Sequence, residues 1–276
     1  MGSTCRYDAA LLAEAEVRFR EDLWRAAPRD AVEEAEVQYR RFGPVLATVF
    51  GELPGASLLN LVQGAAEPGA VEDGHLAAAI EWVRLREVDY LVSANLDRPG
   101  TARVEAWLRR RGYERGASVR RFLHPGLQVA PATPSPIEIH ELTSLETEGM
   151  SHIFGDAFRL STLATVLIMG LPAYDEWHCY RANYEGQEVA CGAMLVAGSL
   201  ALLGLDATIP DARGQGCQTA LITRRLRDAT RAGCDTVVAE VYDQDPVSRS
   251  AITNLEHTGF VEIPGSATWR RPTGIA

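Results

Sequence analysis

The sequence predicts a mixed α+β chain of two similar halves in tandem, each with a mostly antiparallel central sheet flanked by helices. Three observations predict it. Residues 177–208 hold three closely spaced strand segments, WHCYRANY, EVACGAMLVA and LALLGLDAT, separated by the turn signals Glu185-Gly186-Gln187 and Gly198-Ser199. A β-α-β-α-β run follows them. Finally, VDYLVSANLDRPGTARVEAWLRRRGYE near residue 88 resembles CDTVVAEVYDQDPVSRSAITNLEHTGFVE near residue 234, aligning Gly112-Tyr113 with Gly259-Phe260 and Leu108 with Leu255.

The elements follow in order. Amphipathic periodicity predicts helices over Ala9–Ala26 and Asp30–Phe42, with Pro28 and Asp30 marking the break between them. Next come a strand at Ser57–Gly64, an acidic Gly/Pro loop, a helix over His75–Arg86, a strand at Tyr90–Ala94, a helix over Thr101–Arg111 and a strand at Ser118–Leu123. The segment HPGLQVAPATPSPIEI carries Pro125, Pro131, Pro134 and Pro136, which exclude a helix, so it reads as an extended linker. Residues 1–124 and 138–276 are the expected domains, with 125–137 between them. The second half opens with helices over Leu145–Phe158 and Leu160–Met169. After the three strands come a Gly-rich loop and helix (212–232), a strand at Thr236–Val241, a helix over Val247–His257 and a short final strand.

Composition narrows the function. The chain has 276 residues, 27 basic and 37 acidic side chains and a formal charge of −10; every basic residue is arginine. Without lysine there is neither a Walker-type phosphate loop nor Schiff-base or pyridoxal-phosphate chemistry. High-GC coding bias is the plainer reading of the missing lysine, and selection against self-acylation the sharper one. The acidic balance argues against a nucleic-acid-binding surface and suits cationic or amine substrates. No apolar run approaches the ~20 residues of a membrane span, and the N-terminal MGSTCRYDAA lacks a signal core, so neither membrane nor export is expected. Cys5, Cys179, Cys191, Cys217 and Cys234 are odd in number and lack CxxC spacing, which fits reduced cytosolic thiols and no metal site.

The most informative segment is LLGLDATIPDARGQGCQTALITRRLRDATRAG. A strand ends at Thr208, and Arg213-Gly214-Gln215-Gly216-Cys217-Gln218 leads into a helix. Glycines permit tight backbone geometry, and the helix start offers unpaired N–H groups and a positive dipole end to an anion. A strand–turn–helix with purely structural glycines is the plainer alternative. The G-x-G-x-x-G dinucleotide spacing is absent.

This segment resembles motif A of the GNAT superfamily, the acyl-CoA-dependent N-acetyltransferases, whose loop reads Gln/Arg-x-x-Gly-x-Gly/Ala. Arg213 and Gly216 match, and Gln218 stands where Gly or Ala is usual. Downstream, SRSAITNLEHTGF resembles the family's closing helix. The resemblance covers residues 137–272 and implies a bacterial, cytoplasmic enzyme that transfers an acetyl group from acetyl-CoA, as co-substrate, to the amine of a small molecule by direct attack. It implies that Asp206, Ala207 and Thr208 face the pantetheine and that Arg213, Gly214, Gln215, Gly216, Cys217 and Gln218 wrap the pyrophosphate. Thr219 would stand on the first helical turn, with Ser248 and Asn254 as further cofactor contacts.

Leu255 departs from the family, which often places a tyrosine there as general acid to the thiolate; Tyr242 is the substitute considered. For the general base, Asp206 ranks first, because a charge among the apolar residues of LALLGLDAT needs a reason, although a paired structural carboxylate would serve. Glu240 and His178 are the other candidates; each could equally be a solvent-facing or packing residue. Cys217 reads as an inward-packing residue rather than a nucleophile, and Cys179 points away from His178 on its strand. In the first half, the loop AAEPGAVEDGH lacks the Arg-x-x-Gly-x-Gly pattern and carries Glu67, Glu72 and Asp73 where a pyrophosphate would lie. One cofactor site per chain is therefore expected. A catalytically silent acyl-CoA-binding regulatory module and a mycothiol-synthase-like tandem acetyltransferase are the alternatives, and a homodimer is the assembly considered.

Overall fold

A computed structural model describes residues 7–53, 59–125, 136–161, 165, 168–242 and 246–272. The first helix, α1 (Ala9–Ala26), begins where the Asp8 carboxylate accepts from the N–H groups of Ala10 and Leu11 at 2.9 and 3.0 Å. It stops where Ala27, held extended, precedes Pro28. A single turn and a half, α2 (Arg29–Glu34), follows.

Here the structure corrects the expectation of one helix over Asp30–Phe42. The chain leaves the helix at Ala35–Glu36, where Glu36 takes a positive φ of 50°. It then forms a hairpin of β1 (Val37–Phe42) and β2 (Val45–Phe50), paired from Val37↔Phe50 to Phe42↔Val45 across a two-residue Gly43-Pro44 turn. Charged residues at helical spacing made β1 look amphipathic. It is instead an edge strand exposing Arg40 and Arg41, supported by β2, which is buried along its whole length. Gly43 turns at φ 54°, and a side chain there would meet the His75 ring at 2.5 Å.

The remaining elements are β3 (Leu61–Gln63), α3 (His75–Arg84), β4 (Leu91–Asn95), α4 (Thr101–Arg109), β5 (Glu114–Pro125), β6 (Ile137–Glu141), α5 (Glu148–Phe158), β7 (Trp177–Tyr184), β8 (Gln187–Ala197), β9 (Leu200–Thr208), α6 (Cys217–Arg231), β10 (Thr236–Tyr242), α7 (Pro246–His257) and β11 (Val261–Arg270). Two of them revise the linker and the last strand: Ile137 starts a strand that pairs with β7, and β11 is ten residues long rather than short. Of the expected helix over Leu160–Met169, half lies outside the described residues, as does most of the proline-rich segment.

The described strands form one sheet in the order β1-β2-β3-β4-β11-β5-β10-β9-β8-β7-β6, antiparallel except for β3/β4 and β9/β10. The middle of that order is an exchange. The last strand of the first half, β5, lies between β10 and β11, whereas the last strand of the chain, β11, lies between β4 and β5. The repeat-related units β4-α4-β5 and β10-α7-β11 thus each lend their final strand to the other half. Gly265 makes the β5/β11 junction fit: it sits at a register shift, and a Cβ there would lie 2.0 Å from the Val119 carbonyl oxygen.

Both faces of the sheet are covered. Helices α3 and α4 pack on the first half through Leu76, Val83, Val104 and Leu108. On the same face, α6 and α7 pack on the second half through Leu221, Leu226, Ile252 and Leu255. The opposite face carries α1, α2 and α5. Helix α1 straddles the exchange: Leu12 and Ala15 meet Leu123 of β5, Leu202 of β9 and Val238 of β10. Leu23 and Trp24 continue onto Phe50 and Trp177.

Candidate functional site

The two parallel strand pairs at the centre of each half behave differently, and the second forms a crevice. Strands β9 and β10 pair from Leu200↔Thr236 to Leu203↔Ala239; beyond that, β9 runs on to Thr208 and β10 to Tyr242 without pairing to each other. The strands part where β9 carries a bulge. Cys191 stands opposite Ala207 and Ala193 opposite Gly204, so Leu205 and Asp206 together face Gly192. Leu205 holds a φ of 54°, a left-handed conformation costing a leucine about 1–2 kcal/mol. Bulges and such conformations re-aim backbone groups next to binding sites. The free edge of β9 therefore offers its N–H and C=O groups to whatever enters between the strands.

The chain then passes through a 3-10 turn (Pro210–Ala212) and the predicted loop. Gly214 and Gly216 have φ of 81° and 87°. A Cβ at Gly214 would meet nothing within 4 Å, and at Gly216 only Ile137 Cδ1 at 3.7 Å. These glycines are thus needed for backbone conformation rather than for space. Gly216 caps α6 without a side-chain hydrogen bond. Among the described residues no other residue accepts from the N–H groups of Cys217, Gln218 or Thr219. An uncapped helix start behind a positive-φ loop, at the mouth of a strand splay, fits the pyrophosphate and amide groups of a coenzyme A thioester.

The predicted cofactor residues group around this loop, with qualifications. Asn254 of α7 donates to Gln218 Oε1 at 2.7 Å, so these two stand together at the start of α6. Ser248 donates to the Tyr242 carbonyl at 2.7 Å, tying α7 to the end of β10. The Arg213 guanidinium is turned to carbonyl groups, Ala157 at 3.2 Å and Thr208 at 3.4 Å, both exposed bonds. Cys217 is buried in the core beneath the loop, and burial pushes its thiol pKa up, as it pushes that of Cys179 to about 12. Neither is an activated thiolate. Leu255 is a core residue.

The three predicted catalytic residues take different surroundings. Asp206 points to the α6 face, where both its oxygens bind the fully buried Arg225: Nη1 donates to Oδ2 at 3.0 Å and Nη2 to Oδ1. Arg225 Nη1 also donates to the Ala193 carbonyl at 2.9 Å. A Cβ at Gly192 would meet this pair at about 3 Å, which explains the glycine opposite the bulge. Tyr242 ends β10. Glu240, the first β10 residue past the last β9/β10 pair, points instead to the α1 face, as Val238 does. There it stands in register with Arg121 of β5, whose Nε donates to Glu240 Oε1 at 3.3 Å. His178 lies at the edge of the sheet, 2.6 Å from Glu141 and away from the splay.

Arg121, Glu16 and Asp97 are residues that sequence reasoning missed. Arg121 is fully buried and also binds Glu16 Oε1, Asp97 Oδ2 at 3.3 Å and the Pro264 carbonyl at 3.1 Å. Asn95 donates to Glu16 Oε2 at 2.7 Å, and Tyr7 to Asp97 Oδ2 at 2.7 Å. Burial alone would depress the Arg121 pKa; the carboxylates of Glu16, Glu240 and Asp97 outweigh it. Burial and then Glu240 push Glu16 well above the usual carboxylate range, against the opposing charge of Arg121. One sequence signal pointed here: Glu16 lies on the apolar stripe Leu12, Phe19, Leu23 of α1, where a charge requires a partner.

No family model matches the chain, and no curated protein does. Solved structures are similar over nearly its whole length. A GCN5-related N-acetyltransferase from Kribbella flavida matches with a TM-score of 0.63 at 18% identity, over 96% of each chain. An acetyltransferase of the GNAT family from Colwellia psychrerythraea gives 0.56 at 12%, over 97% of this chain and 98% of that one. A tandem GNAT protein from the clavulanic acid biosynthesis pathway gives 0.55 at 14%, over 84% and 79%. The chain has the GNAT fold, in a tandem arrangement. No described helix is long and apolar enough to cross a membrane.

Proposed function

We propose that the chain is an acetyl-CoA-dependent N-acetyltransferase acting on a small-molecule amine by direct attack. The observation that carries this reading is the β9/β10 splay leading into the uncapped start of α6, within a GNAT fold. Acetyl-CoA supplies an activated acyl group as its thioester. The amides of 216–219 and the free edge of β9 at 205–208 bind and orient it, with Gln218 and Asn254 at the loop's rim. Arg213 reaches a phosphate only by leaving its two exposed carbonyl bonds. Backbone N–H groups of β9 polarise the carbonyl, and orientation supplies much of the rate. For the base, Glu240 is favoured over Asp206, whose carboxylate is committed to Arg225. The domain division at residues 124 and 138 belongs to this reading, with a single cofactor site in the second half and the first half shaping the acceptor side.

Leu255 favours a second reading, a silent acyl-CoA-binding module, because it cannot protonate a departing thiolate. Such a thiolate, with a pKa near 8.5, leaves without obligatory assistance. Calorimetry with acetyl-CoA beside free-CoA release over an amine panel separates them. Binding with turnover is expected. Binding without turnover on any amine would establish the silent module, and failure to bind any acyl-CoA overturns both.

A further inference from the structure

The buried network around Arg121 is built mainly from the first half, yet it ends at the second half's crevice. Its members grade outward: the side chain of Arg121 is 0% exposed, Glu16 8%, Asp97 9%, and Glu240 30%. Glu240 is therefore the member that reaches solvent, at the point where β9 and β10 part. The floor beside it is closed by the Phe19 ring of α1, which packs so tightly on Gly204 that a Cβ there would lie 2.6 Å from it. Within the network, Asp97 Oδ1 is buried and accepts no hydrogen bond among the described residues. A buried acceptor without a donor is costly.

We infer, resting on the N-acetyltransferase reading, that a cationic amine docks against Glu240 and that Glu16 and Arg121, brought across by the strand exchange, are positioning residues for it. The charged groups at Glu240 are Arg121 from β5 and Glu16 and Arg20 from α1; Asp97 after β4, with its donor Tyr7, is joined to it through Arg121. Arg121 Nε donates to Glu240 Oε1 at 3.3 Å and so fixes that oxygen. Burial and then Glu240 push Glu16 well above the usual carboxylate range, so Glu16 is the member that favours a proton before the amine arrives. The ammonium gives one proton to solvent on becoming the free amine. The nitrogen lone pair then forms the C–N bond, the C–S electron pair leaves with sulfur, and the second nitrogen proton passes to the Glu240 carboxylate. From there it returns to the thiolate, so the carboxyl does the work that Leu255 cannot. Atoms and charge balance as amine plus acetyl thioester giving amide plus thiol.

The test compares Glu240→Gln, Glu16→Gln and Glu16→Asp in the full chain. Glu240→Gln is expected to lower kcat/KM for the amine about 100-fold with acetyl-CoA affinity unchanged. Glu16→Gln should remove one ionisation from the pH profile of kcat/KM, and Glu16→Asp should restore it in part. A 13C-glutamate NMR titration, independent of turnover, should show one carboxyl titrating well above the usual range. That signal should vanish in Glu16→Gln and move when a turned-over amine is added to the CoA-loaded protein. If the chain binds acetyl-CoA but turns over no amine, the enzyme reading fails, and the NMR arm, run with the amine panel, still judges the network. Glu240→Gln with wild-type kcat/KM overturns the docking role. A Glu16→Gln profile superimposable on wild type overturns the positioning role.

Discussion

The two parallel strand pairs, β3/β4 and β9/β10, share a topology but only one is left open. After β3 the chain turns at Gly64 and packs Ala65, Ala66 and Ala70 into the core. Gly100, at the start of α4, lies so close that a Cβ would meet the Ala66 carbonyl oxygen at 2.4 Å. Glu67 receives two hydrogen bonds from Arg98, at 2.8 and 2.7 Å, closing this loop on the turn after β4. Even the helix start is occupied. Helix α3, like α6, follows a left-handed glycine, Gly74, but Leu76 N–H donates to the Ala70 carbonyl at 2.7 Å. The first half thus closes its loop by packing and by ion pairing and satisfies one helix-start N–H from within, where the second half leaves the start of α6 open. A shared element order does not make a binding site; unsatisfied backbone does.

Breaking the open site should have the largest effect. Gly216→Asp puts a carboxylate at the start of α6, against the phosphates, at a φ of 87°. We expect acetyl-CoA affinity to fall about 100-fold. The matching Gly74→Asp, at φ 77° with nothing within 4 Å of its Cβ, should leave that affinity unchanged. Calorimetry on the pair measures the difference between the halves directly; equal losses would put the anion site elsewhere.

Next in size is Asp206→Ala, which strands the buried Arg225 guanidinium. With the carboxylate itself about a quarter exposed, a loss of about 2–3 kcal/mol is expected in urea unfolding. Asp206→Asn should retain kcat within a few-fold, because the side chain holds α6 to the bulge; a loss of kcat without loss of stability would return the base to Asp206.

The pH dependence is a smaller signal. Glu16 has its folded pKa raised, so folding favours the protonated carboxyl. Its stabilising contribution is present below the ordinary glutamate range and is lost as pH rises through the higher folded value. The Tm of Glu16→Gln relative to wild type should therefore climb across that window; a constant difference would argue against the raised pKa. Smallest, Glu67→Gln in the closed loop should cost about 1 kcal/mol, with no gain in acetyl-CoA binding, since neutralising one charge leaves the crevice filled.

Much of the open site was legible because its signals are local. Two glycines between a strand and an amphipathic helix specify a left-handed loop and a helix start wherever they occur. The exposed β1 strand was misread for the same reason: residues 37–42 fit helical spacing locally, and only the fully buried partner β2 decides for a strand. Glu67 and Glu72 were legible as hostile to phosphate, but the filled crevice was not, since it depends on Gly100 meeting Ala66.

By itself, then, the sequence determined the loop of 213–218, the strand before it, the helix after it and the tandem order, because each follows from residues a few positions apart. The tertiary structure alone decided that β5 and β11 change places. That exchange sets Arg121 opposite Glu240, 119 residues apart in the chain, and brings Glu16 of the first helix to the same point. Strand pairing at such separation is fixed by the burial of whole faces and by the register of a continuous sheet, which no local pattern of residues encodes.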